Sequence, residues 1–308
     1  MTKRKMKDKY SIPLFRVTAG PGGEAVLIKG KEKNVLHDCG MACFAPELIE
    51  NIERVLQGEE PDYVILSHSH YDHMGALPYV IERWPKVQVC ASKKTWEVFR
   101  RESACSMILS MGKTAAEFYG RDPEQIKIDG LRVDVILENE SSLSLGEGEE
   151  IIVFETKGHT DCSLSYFLMP HRILITSEST GVYMNDGNIH TSVLKSFEES
   201  MESANILKSL PYEKLLIPHY GILSGDAAAG YFDKFTEAAV KERTLIRRCI
   251  EGGMTAEEIF EEHKRIYWSE ERAKNHPYRA YKMNTEIIIK REIGEAEKAQ
   301  DQKRTQKI

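Results

Sequence analysis

The run His68-Ser69-His70-Tyr71-Asp72-His73 constrains this chain more than any other feature, because it packs metal-capable side chains together directly after the apolar stretch 62–66. An apolar run of that length, bounded by polar residues, is a buried-strand candidate. In an extended chain successive side chains alternate, so His68 and His70 point the same way and can grip one ion. The turn that follows can then bring Asp72 and His73 to a second. A surface histidine cluster would lack the strand before it and the helical pattern after it.

The surrounding pattern is α/β. Short β-rich runs at 11–17, 24–29 and 34–38, separated by Gly20-Pro21-Gly22-Gly23 and Gly30-Lys31, predict an antiparallel meander. Helical spacing over 46–57, 76–83, 93–101 and 102–119 alternates with strand candidates at 62–66 and 87–91. A second set of strands is expected at 131–137, 142–145, 151–155, 164–168 and 172–176, then a helix over 197–209 and a strand at 214–217. Two β-then-α halves predict an αβ/βα sandwich. From 226 the strand signal fades into helices at 227–250 and 255–267, the second opened by a Thr255/Glu258 capping box. The segment 282–291 reads equally as strand or helix. Charge-dense 291–308 predicts a frayed or disordered end. The expected domains are therefore 11–225, a helical cap over 226–290 and a tail over 291–308.

A chain of 308 residues with 41% apolar residues can bury a full core. Its net charge of −6, with no basic stretch interleaved with aromatics, argues against nucleic acid as a partner. No window approaches the roughly 20 continuous apolar residues that span a bilayer. The basic start at 1–10 has no apolar stretch after it, so a cytoplasmic protein without a membrane partner is expected. The six cysteines are expected as reduced thiols, and the Cys39/Cys43 pair as packing residues rather than a zinc knuckle. The partners expected are a small-molecule substrate and, for assembly, a second copy in a homodimer.

HSHYDH resembles the H-x-H-x-D-H signature of the metallo-β-lactamase superfamily, and further motifs follow in order. Asp38 in Leu36-His37-Asp38-Cys39-Gly40 resembles the first motif, an aspartate that orients metal ligands from behind. His159 in Gly158-His159-Thr160-Asp161 resembles the third motif, and His219 after KLLIP the fifth. The resemblance implies the four-layer αβ/βα metallo-β-lactamase sandwich with a C-terminal helical appendage. It implies a first metal site of His68, His70 and His159, and a second of Asp72, His73 and His219. The fourth motif normally supplies a bridging Asp; here Thr176-Ser177-Glu178 puts a longer Glu178 there, which can shift the bridge or remove it. One or two divalent transition metals are implied, zinc first, with iron or manganese as the other choices. Such ions activate water, Asp72 is the implied proton acceptor, and Tyr220 and Tyr183 are candidate donors to a developing oxyanion.

A His at the second place of the motif resembles the hydrolases of the superfamily. Its flavodiiron oxidoreductases carry Glu there and append a flavodoxin domain, not expected in a chain of this length. The helical C-terminus resembles the caps of the glyoxalase II, lactonase and PqsE-like thioesterase groups, and no β-CASP insert is evident. Ester, thioester or lactone hydrolysis is therefore expected, ahead of phosphodiester cleavage. Two alternatives stay open. Gly158-His159-Thr160-Asp161-Cys162 also resembles mononuclear iron persulfide dioxygenases, and the same ligands suit a non-catalytic metal-containing ligand sensor. His37, His171, His190, His263 and His276 have no metal-ligand spacing. The Met-rich helix at 102–119 is read either as an amphipathic surface helix or as a lid.

Overall fold

The computed structural model describes residues 14–184, 187–273 and 277–305. In chain order it runs β1 (Leu14–Arg16), β2 (Val26–Lys29), β3 (Asn34–His37), α1 (Ala45–Leu56), β4 (Tyr63–Ile65), α2 (Tyr71–Met74), α3 (Leu77–Arg83), β5 (Gln88–Ser92), α4 (Lys93–Phe99), α5 (Glu102–Phe118) and β6 (Val135–Leu137). Then come β7 (Ser142–Gly146), β8 (Glu149–Glu155), β9 (Leu164–Met169), β10 (Ile173–Ile175), β11 (Val182–Tyr183), β12 (Ile189–His190), α6 (Phe197–Lys208), β13 (Lys214–Ile217) and β14 (Gly221–Ser224). The helices α7 (Gly225–Ala229), α8 (Tyr231–Glu251), α9 (Ala256–Tyr267), α10 (Glu270–Ala273) and α11 (Tyr278–Thr305) complete it. Among the described residues no helix is long and apolar enough to cross a membrane.

The chain divides into two compact units. The first takes residues up to Thr156, Cys162–Ser177 and Pro211–Ala228; the second takes Lys157–Asp161, Glu178–Leu210 and everything from Ala229 on.

The first unit holds two six-stranded sheets, ordered β1-β2-β3-β4-β5-β6 and β14-β13-β10-β9-β8-β7. In the first sheet the meander β1-β2-β3 is antiparallel, and β3, β4, β5 and β6 run parallel. Parallel neighbours need long crossovers, supplied here by α1, by α2 with α3, and by α4 with α5. Side-chain alternation assigns each strand two cores. Val26, Ile28, Val35, Ile65 and Cys90 pack with Ile151, Val153, Tyr166, Ile173 and Leu216 of the second sheet. Their sequence neighbours Leu27, Leu36, Val64 and Val89 pack instead with Leu48, Ile52 and Leu56 of α1 and Leu77 and Val80 of α3. Burial on both faces explains why these strands read as unbroken apolar runs; each such side chain contributes about 1.5–3 kcal/mol.

In the second unit α8, α9 and α11 share a core of Ile246, Cys249, Ile259, Phe260, Tyr281, Ile288 and Ile289. The expected capping box at Thr255 and Glu258 is formed. The undecided segment 282–291 is helix, because Tyr281, Ile288 and Ile289 recur at helical spacing toward that core. The frayed end expected from 291 is corrected as well. The chain stays helical through Thr305, anchored where Glu292 and Glu295 meet Arg243 and Arg247 of α8. Residues 306–308, the start of the first expected strand and His276 lie outside the described residues. The two-residue strands β11 and β12 and the strand β14, which opens on Gly221, had no counterpart in the sequence reading.

Candidate metal centre

The residues after β4 carry one half of the site. The Tyr166 hydroxyl donates to the Leu66 carbonyl at 2.6 Å, tying the end of β4 to β9 just before the histidine motif. His68 is fully buried, and His70 is the extended residue that caps α2. Their ring centroids lie 4.6 Å apart, and those of His68 and His73 4.2 Å apart. Asp72 and His73 sit on α2, while His219 occupies the turn between β13 and β14 with φ +62. Asp72, His73 and His219 each place one ligand atom within 4.8 Å of the others. A non-glycine residue at positive φ is strained by about 1–3 kcal/mol and persists only where its surroundings hold it.

Asp38, also at positive φ (+53), stands behind this cluster. Its carboxylate accepts the Ser67 N–H at 2.7 Å, the Ser67 hydroxyl at 2.6 Å and the His73 Nδ1–H at 2.9 Å. Burial pushes the Asp38 carboxyl up, but the His37 and His73 imidazoles and the hydrogen bonds from His73 and Ser67 outweigh it, leaving it below its ordinary range. Because the Ser67 hydroxyl gives its proton to Asp38, it accepts from His68 Nδ1 at 3.0 Å. Both His68 and His73 are thereby held with Nδ1 protonated and with the lone pair on Nε2. Gly23 belongs to the same arrangement: a Cβ there would lie 2.6 Å from His73 Nδ1.

The second unit holds His159 and Glu178. Gly158, at φ +128, lets the chain pass so close to α6 that a Cβ would fall 2.7 Å from the Ser200 backbone. Its carbonyl accepts from the Lys195 and Ser196 amides at 2.8 and 3.1 Å. His159 follows, buried, with its amide donating to Ser179 Oγ at 3.2 Å. Its Nδ1 lies 2.7 Å from the Ser192 carbonyl, which can only accept, so Nδ1 carries a proton. Its Nε2 is 3.0 Å from Glu178 Oε2, and Ser192 Oγ reaches the same oxygen at 3.1 Å. Glu178 opens a 3₁₀ turn over Glu178–Thr180 and is buried.

The other sequence candidates are spread more widely. Tyr220 is half-buried directly after His219, and Tyr183 is half-buried on β11 with its ring 6.3 Å from that of Tyr231. His171 pairs with Glu149 at 2.9 Å, away from the motif. His190 and His263, which lack metal-ligand spacing, are both buried, His190 against Arg272 and His263 against Glu242. The six cysteines are free, and no described cysteine belongs to a donor group of metal-holding spacing. Three positioning or neighbouring residues escaped the sequence reading. Ser67 was visible beside the motif, but Ser192 carries no local signature. Tyr119, at the end of α5, has its pKa raised by burial first, then by Cys43 and Asp72.

Imidazole nitrogens with outward-fixed tautomers, together with carboxylate oxygens, are the donors that zinc, iron and manganese take. The outer hydrogen bonds from Ser67, Asp38 and Ser192 are the kind that orient such ligands. The residues present therefore fit a divalent transition metal.

The chain is 40% identical over 79 residues to the flavo-diiron protein FprA2 of Clostridium acetobutylicum, covering 26% of this chain and 20% of that protein. It is 26% identical over 157 residues to the hydroxyacylglutathione hydrolase of Prochlorococcus marinus, covering 50% of this chain and 48% of the relative. The chain thus spans from a fifth to about half the length of these two relatives. A metallo-beta-lactamase family protein from Thermus thermophilus superposes with TM-score 0.63 at 14% identity, over 91% of this chain and 94% of that one. An archaeal metallo-beta-lactamase superfamily protein from Sulfolobus tokodaii superposes with TM-score 0.57 at 19% identity, over 73% and 85%. Those two likenesses carry the fold, the αβ/βα sandwich expected from the sequence. The family model described as Metallo-beta-lactamase superfamily matches residues 20–219, from ahead of Asp38 through His219, and the chain belongs to that superfamily.

Proposed function

We propose that this chain is a metal-dependent hydrolase cleaving an ester, thioester or lactone of a small molecule. In this reading, which the motif resemblance implies, His68, His70 and His159 hold one divalent ion and Asp72, His73 and His219 a second, with Glu178 at the position of the bridging carboxylate. The observation that carries the reading is the shared state of the buried imidazoles. His68, His73 and His159 each direct Nδ1 to an oxygen of Ser67, Asp38 or Ser192, so that in each ring Nε2 is the nitrogen turned away from these partners. Histidines kept only for packing have no need of one common tautomer.

A divalent ion held there supplies Lewis acidity and lowers the pKa of water from roughly 15.7 to about 7. Asp72, the half-buried carboxylate beside His73 and His219, would be the group placed to take up a proton there. Tyr220 or Tyr183 donates to the oxyanion. Next to the motif, Met41, Phe44 and Ala115 pack with Tyr71 and Tyr119, an apolar neighbourhood that suits an acyl portion of the substrate. The likeness to a hydroxyacylglutathione hydrolase favours the thioester end of the range. The partner is a small molecule, with homodimer assembly, no nucleic acid and no membrane, in the cytoplasm.

One further reading has an observation behind it. The 40% identity to a flavo-diiron protein favours iron as the metal and redox chemistry as the alternative. Elemental analysis of the purified protein, paired with hydrolysis of a generic thioester and a generic phosphodiester, decides between them. Hydrolysis of the thioester with one or two metals bound is expected. Iron with oxygen consumption in the presence of a persulfide would move the chain to dioxygenase chemistry, and metal without turnover on any substrate would make it a sensor. His70→Ala is expected to lose metal and activity together; full metal retention in that variant would end the ligand assignment.

A further inference from the structure

The second unit buries a polar network that hydrolysis does not use directly. Glu242 of α8 and His263 of α9 are 5% and 1% exposed, and His263 Nε2 meets Glu242 Oε1 at 2.8 Å. His263 Nδ1 lies 2.8 Å from the hydroxyl of fully buried Tyr281 on α11. The other Glu242 oxygen, Oε2, accepts the Thr191 hydroxyl. Buried ion pairs cost desolvation and are weak evidence for stability, so one that grips a neighbouring segment invites a positioning explanation.

The gripped segment is the one that orients His159. Thr191 immediately precedes Ser192, whose φ of +54 is strained for a residue with a Cβ. Ser192 turns its carbonyl to His159 Nδ1 at 2.7 Å and its hydroxyl to Glu178 Oε2 at 3.1 Å. The flanking residues are held by helices of the same unit. Arg272 of α10 meets His190 Nδ1 at 2.7 Å, and Arg291 of α11 donates to the Val193 carbonyl at 2.5 Å. Three of four consecutive residues are thus tied to α8, α10 or α11, and the fourth, Ser192 in its strained conformation, serves the site.

We propose that Glu242, braced by His263, is a positioning residue: through the Thr191 hydroxyl it holds Ser192 in the conformation that fixes the tautomer and aim of His159 and the placement of Glu178. The C-terminal helices are in this sense the frame of a metal ligand set. The inference rests on the reading of His159 and Glu178 as ligands.

The test is titration of the metal-depleted full chain with Zn2+ alone, read beside the thermal unfolding midpoint. Thr191→Val keeps the methyl and loses the hydroxyl; acting one step behind Ser192, it should weaken Zn2+ binding by up to about 10-fold, the lower end of what losing a direct outer partner of a ligand costs. Thr191→Ser keeps the hydroxyl and loses the methyl; it should bind Zn2+ as the parent does, whatever its midpoint. Should Thr191→Val not fold, Glu242→Gln must show a smaller loss in the same direction. A Thr191→Val protein, or in its place a Glu242→Gln protein, that melts earlier yet binds Zn2+ like the parent overturns the proposal, because the network then serves stability alone. His159→Ala separates the two levels. If it binds Zn2+ as tightly as the parent, the ligand reading fails and the proposal falls with it; if it binds weakly while Thr191→Val does not, only the proposal falls.

Discussion

Asp38 and His73, separated by 35 residues, are joined by a buried 2.9 Å hydrogen bond from His73 Nδ1 to Asp38 Oδ2. The same carboxylate serves both donors of Ser67, so a single anion sets the orientation of two imidazoles. Replacing it with Asn leaves one acceptor oxygen where three donors converge. Asp38→Asn is expected to weaken Zn2+ binding about 10- to 100-fold. It should also lower folding stability by about 1–3 kcal/mol through a mispaired buried donor. Zinc titration and urea unfolding of the metal-free protein measure the two effects separately.

Gly158 presents a steric case. Alanine there meets a φ of +128 and a contact of 2.7 Å with the Ser200 backbone, which no side-chain rotation relieves. The backbone conformation alone costs about 1–3 kcal/mol, and the displaced loop carries His159 with it. Gly158→Ala should therefore lower both the unfolding free energy and zinc affinity, whereas Gly148→Ala, at φ +80 with open space around it, should lower only the first.

What the sequence made legible was whatever is local. The histidine motif, the strand that delivers it and the aspartate at the end of β3 are all set by alternation within a few residues. The two-core logic of Leu27 and Ile28 shows in the runs themselves. Ser192 was invisible because its importance lies in a conformation and in a partner 33 residues away in the chain. The run Ile287-Ile288-Ile289 was ambiguous because β-branched residues suit a strand, and only the presence of α8 and α9 made a helical stripe the better way to bury it. The end of α11 was misread because charge density signals disorder only when the charges lack fixed partners.

The Glu242 carboxylate gives a pH dependence with a definite sign. Burial pushes its pKa up, but hydrogen bonds from His263 and Thr191 and the charges of His263 and Arg272 hold it below the ordinary 4.5. The other titratable groups facing it are Tyr267 and Tyr281, which are neutral in acid. The unfolded chain takes up the proton first. Stability from this group is therefore complete above pH 4.5 and disappears as the pH falls through the lower native value. Urea unfolding of the parent and Glu242→Gln should differ by about 1.5–3 kcal/mol near neutrality, the range for hydrogen bonds to a charged group. The gap should narrow steadily below pH 4.5, and a gap independent of pH would refute the account.

Glu292 decides whether the charged end of the chain is structural. It is fully buried and accepts from Arg243 Nε at 3.2 Å, Arg247 Nε at 2.7 Å and Arg291 Nη2 at 2.6 Å. Removing the anion leaves three guanidinium groups crowded together, a loss usually of about 3–5 kcal/mol. Because the Arg247 side chain is 41% exposed and can turn to water, Glu292→Ala should fall at about 3 kcal/mol or slightly below. The i,i+4 pair of Glu237 and Lys241 on α8 is the control, since both side chains are about two-thirds exposed, at 66% and 68%. Glu237→Ala should leave the unfolding midpoint where it is. Since Arg291 also holds the Val193 carbonyl, the Glu292→Ala protein should in addition lose zinc affinity, an effect that a helix serving only as packing would not transmit.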